Sequence, residues 1–161
     1  MSYMRFCLMI AVSTVVMFGM MYLNTYEFDH VMFSQTRTWM AVLMGAGMAI
    51  IMIVFMWSMY PNPRINAAII GGSAVVFVVS LALVRSQATV GDVSYMTAMV
   101  PHHSIAIMTS RRAHIRDPRV RKLADGIIEA QVREIGEMKT LIADLKRNPP
   151  ADNTPVLPPG Q

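Results

Sequence analysis

Three long apolar runs occupy the first half of the chain and constrain its fold more than any other feature. They are Phe6–Leu23, between Arg5 and Asn24; Thr38–Tyr60, between Arg37 and Pro61; and Ile65–Val84, between Arg64 and Arg85. Each is near the ~20 residues that a helix needs to cross a bilayer, where backbone polar groups must be satisfied within the segment. Tyr3, Tyr22, Trp39, Trp57 and Tyr60 stand near their ends, as aromatic residues at a membrane–water interface do. The first run is longer than a signal-peptide core, and no small-x-small cleavage site precedes Asn24, so it reads as a true span. Pro61-Asn62-Pro63-Arg64 ties the second and third runs into a tight hairpin.

The charges are segregated. Of 14 basic and 10 acidic residues, only Arg5, Arg37, Arg64, Glu27 and Asp29 precede Arg85. With 54% hydrophobic residues, this pattern predicts a membrane part, 1–84, followed by a water-facing part, 85–147. Three spans place the Asn24–Arg37 loop on the same side as the second part. The positive-inside count ties, with Arg5 and Arg64 on one side and Arg37 and Arg85 on the other. Arg5 before the first run and Glu27 and Asp29 after it favour a cytoplasmic N-terminus. The expected location is therefore an inner (cytoplasmic) membrane, with the C-terminal domain extracytoplasmic, or periplasmic. The net charge of +4 is spread along a helix and not gathered in a block, so no nucleic-acid partner is inferred. Cys7 is the only cysteine, which excludes an internal disulfide.

Methionine recurs at Met40, Met44, Met48, Met52 and Met56. Steps of four drift by about 40° each on an α-helix, so this stripe spirals and builds no straight wall. Ala41, Gly45 and Ala49 run beside it as a small-residue ridge, and Ala67, Ala68, Gly71, Gly72, Ser73 and Ala74 offer a match on the third run. No histidine, cysteine or carboxylate accompanies the thioethers in the second run. Packing is the expected role of the stripe, and metal conduction the less favoured one.

Beyond Arg85 the pattern predicts two helices. The first runs from Val93, behind Asp92 as N-cap, to about His114 with Pro101 inside it. The second runs from Pro118, behind Asp117 as N-cap, to about Arg147. Residues 148–161 are rich in proline and are expected to be disordered. The expected seam of the second helix is Val120, Ala124, Ile127, Gln131, Glu134, Met138, Leu141 and Leu145, which would place a carboxylate at a costly inward position. The first helix carries Met96, Met99, His102, His103 and Met108. Thioether and imidazole suit Cu(I) or Ag(I), and imidazole with carboxylate suits harder divalent ions. Two adjacent histidines cannot share one helix face and are free to serve different partners. On spacing alone the histidines are equally readable as packing groups bonded to Gln131 and Glu134, with the methionines as filler.

Across Tyr95–Ile142 the sequence resembles the domain-of-unknown-function 305 family, a ferritin-like helical group. The resemblance rests on Met96, Met99, Pro101-His102-His103, Ala106, Met108, Asp117-Pro118, Leu123-Ala124, Ile127-Ile128, Ala130-Gln131, Glu134-Ile135 and Met138. The spans, Ser34–Met52 above all, are similar to those of membrane-anchored members. What the resemblance implies is an extracytoplasmic, copper-related role, with copper (as Cu(I) before Cu(II)) or silver held by Met96, Met99, His102, His103 and Met138. Glu134 joins them as a candidate from its place on the seam. Di-iron chemistry is set aside, because the only Glu-x-x-His is Glu27–His30, in the loop. His30 and Met32 in that loop could complete or feed a metal site, although a hydrated turn anchored by Tyr26, Phe28 and Phe33 is the more ordinary expectation.

The expected fold class is all-α: three transmembrane helices and a ferritin-like helical hairpin. Two helices bury little on their own, so a four-helix bundle by homo-oligomerisation, docking on the same-side loop, or a place in a larger membrane complex would complete the core. No enzyme motif is present. The expected function is membrane-anchored binding or buffering of copper or silver in metal homeostasis or tolerance. The rival is an accessory structural membrane subunit without metal.

Overall fold

The computed structural model describes residues 2–151 and 153–157, and its regular structure is entirely helical. The helices are α1 (Tyr3–Met20), α2 (Gln35–Phe55), α3 (Pro63–Ser86), α4 (Asp92–Arg112) and α5 (Pro118–Arg147), with single 3-10 turns at Phe28–His30 and Trp57–Met59. The first three are long and apolar enough to cross a membrane. Residue 152 and residues 158–161 of the proline-rich tail lie outside the described residues, and 148–151 and 153–157 form no helix.

The helix limits differ from the apolar runs because caps, which hydropathy does not register, set them. The Ser34 hydroxyl accepts the Arg37 N–H, so α2 begins three residues before Thr38. It stops at Phe55, where the chain tightens into the Trp57–Met59 turn ahead of Pro61. The Asn62 side chain accepts the N–H groups of Arg64 and Ile65, with Pro63 in the first turn of α3. At the far end Gln87 adopts left-handed backbone (φ 52°) and closes α3. Asp117 caps α5 as expected, accepting from Arg119 and Val120. Gly91, not Asp92, is the residue flanking α4, and Asp92 is already in its first turn.

α2 is the middle element of the apolar part, with α1 and α3 packed on it. Its buried residues are Ala41, Gly45, Ala46, Ala49 and Ile53, which bears out the small-residue ridge. A Cβ on Gly45 would collide with the Thr14 hydroxyl, so this glycine sets how closely α1 approaches. The expected match on α3 is met in part: Ala68, Gly72 and Ser73 line one cavity with Gly45, Ala46 and Ala49. A Cβ on Gly71 or Gly72 would meet nothing within 4 Å, and α3 brings Phe77 against Gly47 and Ile69 and Ile70 against the core around Ile53. Large side chains filling the space over a flat ridge bury more area than two facing ridges of small ones. Met52 and Met56 pack on that core while Met40 and Met44 are exposed, as a spiralling stripe requires. Near the Pro61 turn, the Tyr3 hydroxyl donates to Asn66 Oδ1 at 2.8 Å and Asn66 is fully buried.

α4 and α5 form a hairpin around Met96, Val100, Ile107, Ile135, Met138 and Ile142. The expected seam of α5 holds at Ala124, Gln131, Met138 and Leu145, and is displaced by one residue where Ile128, Ile135 and Ile142 replace Ile127, Glu134 and Leu141. The residues facing α4 are Ala124, Ile128, Gln131, Ile135, Met138, Ile142 and Leu145, at alternating steps of four and three, whereas Val120, Ile127 and Leu141 are exposed. Isoleucines 128, 135 and 142 fill one heptad position, and that repeat sets the register. Glu134 consequently flanks the seam and is partly solvated, which removes the expected penalty of an inward carboxylate. Tyr26 and Met32 from the loop after α1 complete the core, so docking on the loop supplies part of what two helices lack. Of the loop aromatics, Tyr26 packs into this core, while Phe28 and Phe33 are exposed, the Phe33 ring 6.2 Å from that of Phe18.

Gly45→Val is expected to lower the unfolding free energy in mild detergent by about 1–3 kcal/mol through overpacking at the α1–α2 crossing. Adding Thr14→Ala should recover part of the loss, as read from the midpoints of thermal unfolding.

Candidate metal centre

α4 presents its donors in different directions. Met96 is buried in the hairpin core with Met138 of α5, beside Val100, Ile135 and Ile142. Met99 lies at the edge of that core and also lines a cleft of about 410 Å³ on the other side of α4. His103 is turned toward α5, where its Nδ1 stands 3.2 Å from Glu134 Oε2. His102 is exposed and lines the cleft with Met99, Met21, Met40 and Arg37. The rings of His102 and His103 lie 6.2 Å apart, centroid to centroid. The expectation that adjacent histidines serve different partners therefore holds in this geometry. Met96, Met99, His103, Glu134 and Met138 share the α4–α5 interface, and His102 leaves it. Met108 is half-buried, and His114 is exposed beyond the end of α4.

His103 is the chemically distinctive member. Its Nδ1 is buried and makes no hydrogen bond, because Glu134, although near, is not aligned to accept one. Glu134 is instead the acceptor for Gln131 Nε2 at 3.3 Å. Burial pushes the His103 pKa below its ordinary value of 6.5, the Glu134 carboxylate opposes this, and neighbouring His102 adds to it. The ring is thereby held neutral near pH 7, the form in which imidazole binds a metal. Imidazole and thioether are the donor types that fit a soft monovalent ion, and Met99 is the thioether at the edge of the α4–α5 core.

Residues that sequence spacing left unassigned also converge here. The Ser104 hydroxyl, fully buried on α4, accepts the Tyr26 N–H at 2.8 Å and lies 3.0 Å from His30 Nδ1. Arg111 donates to the Tyr26 hydroxyl at 2.9 Å, and Lys139 reaches Asp29 Oδ2 at 2.6 Å. The signal for Ser104 was a small polar residue among apolar ones, next to the histidine pair. Met21 and Met40 could be linked to His102 only through the tertiary fold, since they come from the ends of two other helices.

A family model described as Domain of unknown function (DUF305) matches residues 85–156, which covers α4 and α5. The chain is also 32% identical over 107 residues to an uncharacterized protein of Acanthamoeba polyphaga mimivirus, spanning 65% of this chain and 69% of that protein. Residues 85–156 belong to the DUF305 domain family. No solved structure matches it significantly. The DUF305 match contains His102, His103, Glu134 and the α4–α5 methionines, and it excludes the loop that docks on them.

The sign of the His103 shift has a consequence for stability. A histidine whose folded pKa is lowered contributes stability that is complete above its unfolded pKa and is lost as pH falls through the folded one. Unfolding midpoints should fall as pH drops below 6.5. His103→Gln should flatten this acid limb, and an NMR titration should place the His103 midpoint below the ordinary 6.5.

Proposed function

We propose that this DUF305 protein is a membrane-anchored binder or buffer of Cu(I) or Ag(I), acting in metal homeostasis or tolerance. The observation that carries the reading is the buried His103 Nδ1, 3.2 Å from Glu134 Oε2 without an aligned hydrogen bond, on a helix that also packs Met96 and Met99 into the hairpin core. His103 and Met99 are the principal ligands. Met96 and Met138 supply thioethers from the core side, and Glu134, bonded to Gln131, is the carboxylate neighbour of the imidazole at 3.2 Å. His102, with Met99 on the cleft wall, is the accessible donor through which an ion enters or leaves. The ion supplies only its affinity for soft donors, and we read the protein as a binding protein and not as an enzyme.

The three apolar helices support membrane anchoring by length and composition. Their outward residues, such as Val15, Phe55 and Val78, are exposed in a way that lipid would cover. The charge asymmetry around α1 favours an inner membrane with α4 and α5 on the extracytoplasmic side. The exposed Val120, Leu123 and Ile127 of α5 favour a further copy or a larger membrane complex as partner.

A second reading, an accessory structural subunit without metal, is favoured by the burial of Met96 and Met138 among isoleucines, where thioethers act as filler. Titration of detergent-purified protein with Cu(I) against a competing chelator separates the two. The metal reading expects the His102→Ala, His103→Ala, Met99→Ala variant to bind at least about tenfold more weakly, a difference of about 1.4 kcal/mol. Equal affinity in the variant, or near-zero copper on the folded wild type, overturns it.

A further inference from the structure

We propose that Glu27, Asp29 and His30, in the loop between α1 and α2, form a separate site for a borderline divalent cation of the Zn2+ or Co2+ class. One donor atom from each lies within 4.8 Å of the other two. His30 is 94% buried on the relative scale, being 6% exposed, although it belongs to a surface loop. Burying an imidazole that far is costly unless both nitrogens are given work. Nδ1 is held at 3.0 Å by the Ser104 hydroxyl, which fixes the ring plane. Nε2 then faces Asp29 Oδ1 at 3.6 Å and Glu27 Oε2 at 3.7 Å. Those separations are too long for hydrogen bonds. They match donors sharing one ion, since two ligands each about 2.1 Å from a tetrahedral centre stand about 3.4 Å apart.

The surroundings are arranged as supports for ligands. Ser104 orients the imidazole from behind, the role an outer hydrogen-bond partner plays for a metal-bound histidine. Lys139 holds Asp29 by Oδ2, leaving Oδ1 turned toward His30. Both carboxylates are solvent-exposed, so water completes the coordination. The donor set is one nitrogen and two oxygens with no sulfur, which selects Zn2+ or Co2+ over Cu(I) or Ag(I). These residues lie outside the segment matched by the DUF305 model, and the site does not depend on the soft-metal reading of α4. An ion here ties the loop to α4 through Ser104 and to α5 through Lys139, so binding and the clasp of loop on hairpin stabilise each other.

The test is titration of the full chain in mild detergent with Co2+, read by its visible absorption, followed by displacement with Zn2+ and by thermal unfolding with and without Zn2+. The wild type should give a saturable Co2+ spectrum that Zn2+ abolishes, and Zn2+ should raise the unfolding midpoint. Glu27→Gln and Asp29→Asn alter exposed side chains, and each should weaken Co2+ binding at least about tenfold with the metal-free midpoint of Glu27→Gln unchanged. His103→Ala should leave Co2+ affinity as in the wild type. Absence of a Co2+ spectrum, wild-type affinity in both carboxylate variants, or loss of binding in His103→Ala would each overturn the site.

Discussion

The Ser104 hydroxyl is the contact on which the arrangement of the two halves depends. It takes the Tyr26 N–H and lies against His30 Nδ1, both from the loop that leaves α1, while its own backbone belongs to α4. A hairpin of two helices has one apolar seam and no third layer to cover it. Tyr26 and Met32 provide part of that layer, and they reach it because the loop is held at Ser104. The polar contact sets position and the apolar contacts beside it supply most of the free energy.

The helical architecture was legible because its signals are local and strong. Runs of about twenty apolar residues, the Pro61 turn and Asp117-Pro118 each specify an element without tertiary help, and all appear in the structure. The phase of α5 was not legible in the same way. Two interleaved sets of apolar residues, one through Ile127 and Leu141 and the other through Ile128, Ile135 and Ile142, satisfy the same spacing. Only contact with α4 and the loop chooses between them, and it chooses the set with the larger β-branched fill. The glycines of α3 misled for a related reason: small residues permit close approach without requiring it.

The candidate metal centre divides along the same line. That His102 and His103 diverge follows from helix geometry, because neighbours are about 100° apart. That His103 meets Glu134, and that its Nδ1 is left without a hydrogen bond, depends on the register of α5 and could not be read from either helix alone. His30 stood out in the sequence as a loop histidine after two acids, able with Met32 to complete or feed a metal site. Its burial is a property of the docked loop, and with it comes the difference between a hydrated turn and a built cluster of donors.

Pro101 lies inside α4, immediately before the histidine pair. Lacking an N–H, it leaves the Thr97 carbonyl without its usual rung, so the ladder has a gap one turn below the rings. Bending there breaks no backbone bond that the helix had made. The two imidazoles thus sit just past the break that Pro101 makes in the ladder of α4, and the fully buried proline ring holds that break against its neighbours.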